Sequence, residues 1–134
     1  MNTVSRDHVA IVESFYQRLT TGDVAGALAN FHRDSEIDEP DGLPYGGRYQ
    51  GHRGILQLFM NVAAHFHLEI RQWELHATGE EVVGIITTTF TSKATGKVLH
   101  TTAVELYRFA DGRISSVDIY PKDTRAIYEL SRSD

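Results

Sequence analysis

The 134-residue sequence predicts an α+β fold, a cone in which a strongly curved antiparallel sheet wraps around three N-terminal helices and encloses a pocket. Three observations predict it. Apolar residues recur at helical spacing as far as Phe66, and from His67 to Tyr120 they alternate with a period of two. Among the helices lies EIDEPDGLPYGGRYQGHRG, Glu36 to Gly54, which sets acids against a proline and is then rich in glycine, as the border of a site often is.

From Val4 to Thr20, the residues Val9, Val12, Phe15, Tyr16 and Leu19 form the stripe of an amphipathic helix, with Ser5 placed to cap it and Asp7 in its first turn. Thr21-Gly22-Asp23 stops that helix and caps a short second one, Asp23 to Phe31. Glycine accepts the left-handed C-terminal position, and the aspartate accepts from free N–H groups. Ile37 to Glu39 is a brief extended piece ended by Pro40. Asp41 to Gly51 reads as loop, given Pro44 and Gly46-Gly47, with Tyr45 and Tyr49 to pin it. Gly51 to Phe66 resumes the helical period through Ile55, Phe59, Val62 and Phe66, with Leu58 beside them.

In the strands, Leu68 and Ile70 share one parity while Trp73, Leu75 and Ala77 share the other, so an extra residue is needed near Arg71-Gln72 and a β-bulge is expected there. Glu81 to Lys93 is rich in β-branched residues, Ala94-Thr95-Gly96 is a turn, and Val98 to Phe109 runs back as a second long strand. Asp111-Gly112 is a hairpin signal; Ile114 to Tyr120 is the last strand, and Pro121 ends it before a short helix, Lys122 to Leu130. Long bulged strands bend, and the mouth of a bent sheet suits a concave, mostly apolar pocket. One domain over residues 1–134 is expected.

Composition narrows the function. Thirteen Lys and Arg against eighteen Asp and Glu leave a formal charge of −5 without long like-charge runs, which argues against a nucleic-acid partner. There is no cysteine, hence no disulfide and no thiolate site, and the N-terminus lacks a signal-peptide pattern, so a cytoplasmic protein with no membrane span is expected. The seven histidines are scattered, and His65-x-His67 straddles a helix end, so no metal is expected. No phosphate-binding glycine motif and no nucleophile elbow occurs, and no cofactor is expected.

Glu39 shares a strand face with Ile37, so its carboxyl is expected to be partly desolvated and its pKa raised, as a proton-abstracting base requires. Otherwise it caps the glycine loop. Thr101, Ala103, Glu105, Tyr107 and Phe109 share one face of the long strand, mixing polar and aromatic groups as a pocket wall would. Glu105 is either an inward acid or an exposed residue paired with a cation such as Arg71. Strict alternation puts Val117 and Ile119 on the core face and Asp118 with Tyr120 on the other. Tyr16 and Tyr45 are candidate hydrogen-bond donors to a ligand, His32 is a candidate for the pocket mouth, and Phe15 and Phe59 are candidate lining residues.

LTTGD at Leu19–Asp23, the ALANF helix, Glu39-Pro40, LPYGGRYQG at Leu43–Gly51, ELYRFADGRI at Glu105–Ile114, and Tyr120 with Asp123-Thr124 together resemble the nuclear transport factor 2-like superfamily. Within it the likeness is to the SnoaL-like group of polyketide cyclases, ketosteroid isomerases and epoxide hydrolases. The resemblance implies that Glu39 stands where ketosteroid isomerases have their aspartate base, and Glu105 where they have a protonated acid that helps hold an oxyanion. The first-helix tyrosine of that site falls on Phe15, one residue from Tyr16. It further implies an acid from the region of Asp118, as in related cyclases, and a homodimer through the sheet that covers Val83, Ile85, Val104 and Leu106. The function expected is a cofactor-independent acid–base enzyme, isomerase-like or cyclase-like, acting on a small hydrophobic carbonyl or polycyclic compound. The alternatives are a non-catalytic ligand-binding or dimerisation module and an epoxide hydrolase.

Overall fold

A computed structural model describes residues 2–132. Helix α1, Thr3–Thr20, is capped by Asn2, whose side chain accepts from the Ser5 N–H at 2.8 Å. Ser5 is therefore not the cap; its hydroxyl donates to the carbonyl of Gly79 at 2.9 Å and ties the helix to the sheet. Helix α2, Val24–Ala29, is capped by Asp23, which accepts from Gly26 N–H at 2.9 Å. It stops short of the expected end because strand β1 already begins at Phe31 and runs to Glu39. Phe31, Ser35, Ile37 and Glu39 are buried along it while Glu36 and Asp38 are not, and this alternation is what holds the segment extended.

The expected loop contains strand β2, Gly47–Gln50, antiparallel to β1 with Tyr49 opposite Ile37. Helix α3 follows over Gly51–His65, then strands β3 (Phe66–Thr78), β4 (Glu81–Ser92), β5 (Val98–Ala110) and β6 (Arg113–Pro121), and helix α4, Thr124–Ser131, capped by Asp123. The strand order is β2-β1-β6-β5-β4-β3, a curved, unclosed six-stranded sheet.

Strands β3 to β6 form the expected antiparallel meander, but β1 pairs parallel with β6, with Ile37 opposite Val117, so the sheet is mixed rather than antiparallel throughout. The chain leaves the β1–β2 edge through α3 and re-enters at the far edge with β3. The meander then brings β6 back beside β1 in the same direction.

Three register shifts interrupt the ladders among the described residues, one of them between Phe31 and Glu36 in the parallel β1–β6 pair. The β3–β4 register skips Arg71 between Ile70 and Gln72, where the parity change required an extra residue. The β5–β6 register skips Ser115, which lets Ile114 and Val117 both be buried although three positions apart. Val12, Phe15 and Tyr16 of α1 and Ile55 and Leu58 of α3 pack on the concave face. Helix α4 joins them: Ile127 is 1% exposed, so the core involves four helices, not three. The convex face carries Val83 opposite Leu106 and Ile85 opposite Val104, with Tyr120 beside Val104 and 58% exposed. Among the described residues no helix is long and apolar enough to cross a membrane.

Candidate active site

Two carboxyls converge from separate strands. Glu39 is the last residue of β1, in phase with the buried Ile37, and Pro40 ends the strand immediately after it. Glu105 lies mid-strand on β5, opposite Gly84 of β4 on one side and Ile119 of β6 on the other. Glu39 is 7% and Glu105 8% exposed, and both line a cavity of about 650 Å³ between α1, α3 and the sheet. Phe15, Tyr16, Phe59, Tyr107 and Ile119 share that wall. A second, small cavity of about 60 Å³ touches both acids from the side of α4 and is lined by Tyr45 and Ala103. Those two residues thus face the acids from behind rather than the main cavity.

Glu105 is tethered. Tyr16 Oη donates to Glu105 Oε1 at 2.7 Å, Tyr107 Oη donates to the same oxygen at 2.7 Å, and the two hydroxyls are 3.0 Å apart. Burial pushes the Glu105 carboxyl up, and the hydrogen bonds from Tyr107 and Tyr16 offset part of that rise. The Glu39 carboxyl has no hydrogen-bond or ion-pair partner among the described residues. Its pKa is pushed up to about 9, chiefly by burial, then by the charges of Glu105 and Asp38. Burial likewise raises Tyr16, Tyr107 and Tyr45, so all three remain protonated donors.

Three residues that sequence reasoning missed support this arrangement. Gly84 leaves the space in which the Tyr16 hydroxyl sits: a Cβ built there would lie 2.5 Å from Tyr16 Oη. The signal was a lone glycine inside a β-branched strand, which marks a close approach. Trp73 lies against Tyr16 with ring centroids 5.4 Å apart, and its Nε1 donates to Glu13 Oε2 of α1 at 2.7 Å. The helix that carries Tyr16 is thereby fixed to β3.

Other candidates fall elsewhere. Phe15, where the resemblance placed the donor, packs edge-on against Phe31 at 4.9 Å, and the hydroxyl comes from Tyr16 instead. Asp118 is on the convex face, where Arg108 donates to it at 3.0 Å, so it does not reach the cavity; strand alternation turns it away. His32 is not at the mouth either. It lies on β1, with its Nε2 3.2 Å from Asp111, because α2 ends before it and β1 turns it outward. Arg71 pairs with Glu69 at 3.0 Å, not with Glu105. Among the described residues no group of three His, Cys, Asp or Glu side chains is placed to hold a metal ion.

A curved, unclosed six-stranded sheet packed with four helices is the nuclear transport factor 2-like fold. A family model for the SnoaL-like domain matches residues 12–117, and the chain belongs to that family. Among solved structures, an NTF2-like protein of unknown function from Burkholderia pseudomallei is 26% identical, with a TM-score of 0.86 over 92% of this chain and 96% of that one. TerC, co-crystallised with polyporic acid, is 25% identical, with a TM-score of 0.86 over 93% and 98% of the two chains. A candidate polyketide cyclase from Xanthomonas campestris pv. campestris shares the fold at 16% identity, with a TM-score of 0.83 over 97% of this chain and 100% of that one. A comparison with curated proteins returned no match.

Proposed function

We propose that the chain is a cofactor-independent acid–base enzyme, isomerase-like or cyclase-like, acting on a small hydrophobic carbonyl or polycyclic compound held in the 650 Å³ cavity. The observation that carries this reading is the pair of buried carboxyls in one cavity, one without a partner and the other anchored by two tyrosines. Glu39, once ionised, is a strong base because nothing in its surroundings stabilises its charge. Glu105 has Oε1 occupied by Tyr16 and Tyr107, so Oε2 is the oxygen left to carry a proton to a ligand carbonyl. A proton then moves from carbon to Glu39 while the carbonyl oxygen gains a hydrogen bond from Glu105, and its return to another atom completes a rearrangement. The co-crystallisation of TerC with polyporic acid and the cyclase description of the Xanthomonas protein support a cyclic organic ligand.

Turnover of hydrophobic ketones and polyketide-like aromatics, found first by thermal shift, tests the reading. With Glu39 as base, kcat/KM is expected to rise about tenfold per pH unit between pH 6 and 8 and to level near its pKa of about 9. A flat profile over that range would remove Glu39 from the base role, and ligands that bind without turnover would make the protein a binding module.

We also assign a homodimer to the convex face. Val83, Leu106, Ile85 and Val104 form adjacent cross-strand pairs there, and Val104 is 37% exposed, an apolar patch that a second copy would cover. Light scattering at micromolar concentration is expected to give twice the 15.0 kDa of the chain, and Val104→Lys to lower that mass toward one chain.

A further inference from the structure

The cavity has buried carboxyls at one end and a cation at the other. Of the residues that line it, Glu39 and Glu105 are buried and mark its inner end, while Leu19, Phe59, Val62 and Ile70 are half-buried. Its exposed lining residues lie on the α1–α2 turn, near the end of α3 and at the start of β3; they include His67 and Glu69, and with Lys93 they mark the mouth. Glu69 is paired with Arg71 at 3.0 Å. Nearby on the α1–α2 turn, Asp23 is paired with Arg18 at 2.7 Å.

Lys93 is different. Among the described residues it is the one Lys or Arg on the cavity wall, and it has no carboxylate partner. It immediately follows β4, where its backbone N–H bonds the carbonyl of His65 at 2.9 Å, so its position at the rim is set by the sheet.

We infer that the ligand of this cavity is amphipathic and anionic at one end, with its carboxylate or other acidic group received by Lys93 at the mouth and its uncharged carbonyl end against Glu39 and Glu105. This rests on the reading of the cavity as a small-molecule site and adds the ligand's class and orientation. The buried end offers an anion no cation, only the carboxyls of Glu39 and Glu105, whereas the unpaired ammonium at the rim attracts it, and the formal charge of −5 leaves no general attraction to replace that contact. The apolar lining accepts the carbon skeleton between the two ends.

The test uses two fluorescent probes that share one aromatic skeleton: 1-anilinonaphthalene-8-sulfonate, which is anionic, and N-phenyl-1-naphthylamine, which lacks the sulfonate. Each is titrated against the full chain and against Lys93→Gln, Lys93→Glu and Lys97→Gln, Lys97 being a lysine outside the cavity wall. Mutual displacement shows that both occupy one site. Lys93→Gln is expected to weaken the sulfonate probe about threefold to fivefold, as for a part-exposed ion pair, and Lys93→Glu to weaken it about tenfold, while the neutral probe is unchanged. The advantage of the anionic probe should shrink as salt is raised. Equal effects on both probes, or an effect of Lys97→Gln as large as that of Lys93→Gln, overturn the assignment to Lys93. If neither probe binds the wild type, the cavity is not a site for small apolar molecules, and the reading beneath this inference falls with it.

Discussion

Glu39→Gln is expected to slow turnover sharply and, at the same time, to make the protein more resistant to alkaline unfolding. The two effects have one cause. In the folded chain the Glu39 pKa is about 9 against an ordinary value of about 4.5, so between those limits the folded protein keeps a proton that the unfolded chain releases. Whatever Glu39 contributes to stability is therefore fully present below about pH 4.5 and is lost as pH rises toward 9. The loss runs at about 1.4 kcal/mol per pH unit for one proton, which reaches about 3 kcal/mol at pH 7. Glutamine keeps the shape and cannot ionise, so this contribution to the slope disappears. Its amide remains buried without partners, a cost of about 1–3 kcal/mol at every pH. Thermal melts from pH 5 to pH 9 are thus expected to converge or cross, with the variant the more stable at the alkaline end. Loss of a general base lowers kcat by about 10²- to 10⁴-fold. Parallel melting curves at every pH would mean that Glu39 is not held neutral by burial, and the base assignment would lose its physical ground.

The same residues show how far the sequence could be read. Elements that announce themselves by their own period, such as α1, α3 and the long strands, were legible, and so was the bulge at Arg71, because Ile70 and Trp73 cannot otherwise both turn inward. Strand β2 was not: Gly47-Arg48-Tyr49-Gln50 carries loop residues and becomes a strand only by pairing with Glu36–Glu39. The parallel β1–β6 pairing was equally hidden, since neither strand's pattern encodes the direction of its neighbour. At the site, alternation alone placed Ile119 inward and Asp118 outward, and that is where the cavity wall and Arg108 put them, although relatives pointed to an acid in the region of Asp118. Tyr16 was a candidate donor, but its partner lies 89 residues away, and the space for its hydroxyl is made by the absence of a side chain at Gly84.

That absence gives the second large effect. Gly84→Ala is expected to disable the site from a position that carries no functional group. The new Cβ would lie 2.5 Å from Tyr16 Oη and 3.4 Å from Leu75 Cδ2. The tyrosine hydroxyl is the end of a rigid ring that is 1% exposed, with Trp73 on one side and Tyr107 on another, so the ring can yield only by shifting toward the cavity, away from Glu105 and Tyr107. Pushing it away breaks the 2.7 Å bond to Glu105 and the 3.0 Å contact with Tyr107. Overpacking of this kind costs about 1–3 kcal/mol. The carboxyl of Glu105 loses one of the two donors that offset its burial, so its pKa rises further. A double-mutant cycle separates this account from a general intolerance of alanine in the strand. Tyr16→Phe alone loses the hydroxyl and its bonds, and once the hydroxyl is gone the added methyl meets the ring edge instead, since the Tyr16 Cζ lies at 3.5 Å. The double variant Gly84→Ala/Tyr16→Phe is therefore expected to be more stable than the sum of the two single losses predicts, by about 1 kcal/mol or more. Strict additivity would show that Gly84 is needed by the backbone of β4 and not by the tyrosine. The coupling, if found, ties a glycine on one strand to the protonation of an acid on the next, which makes the placement of the Glu105 proton a property of how closely β4 and α1 pack.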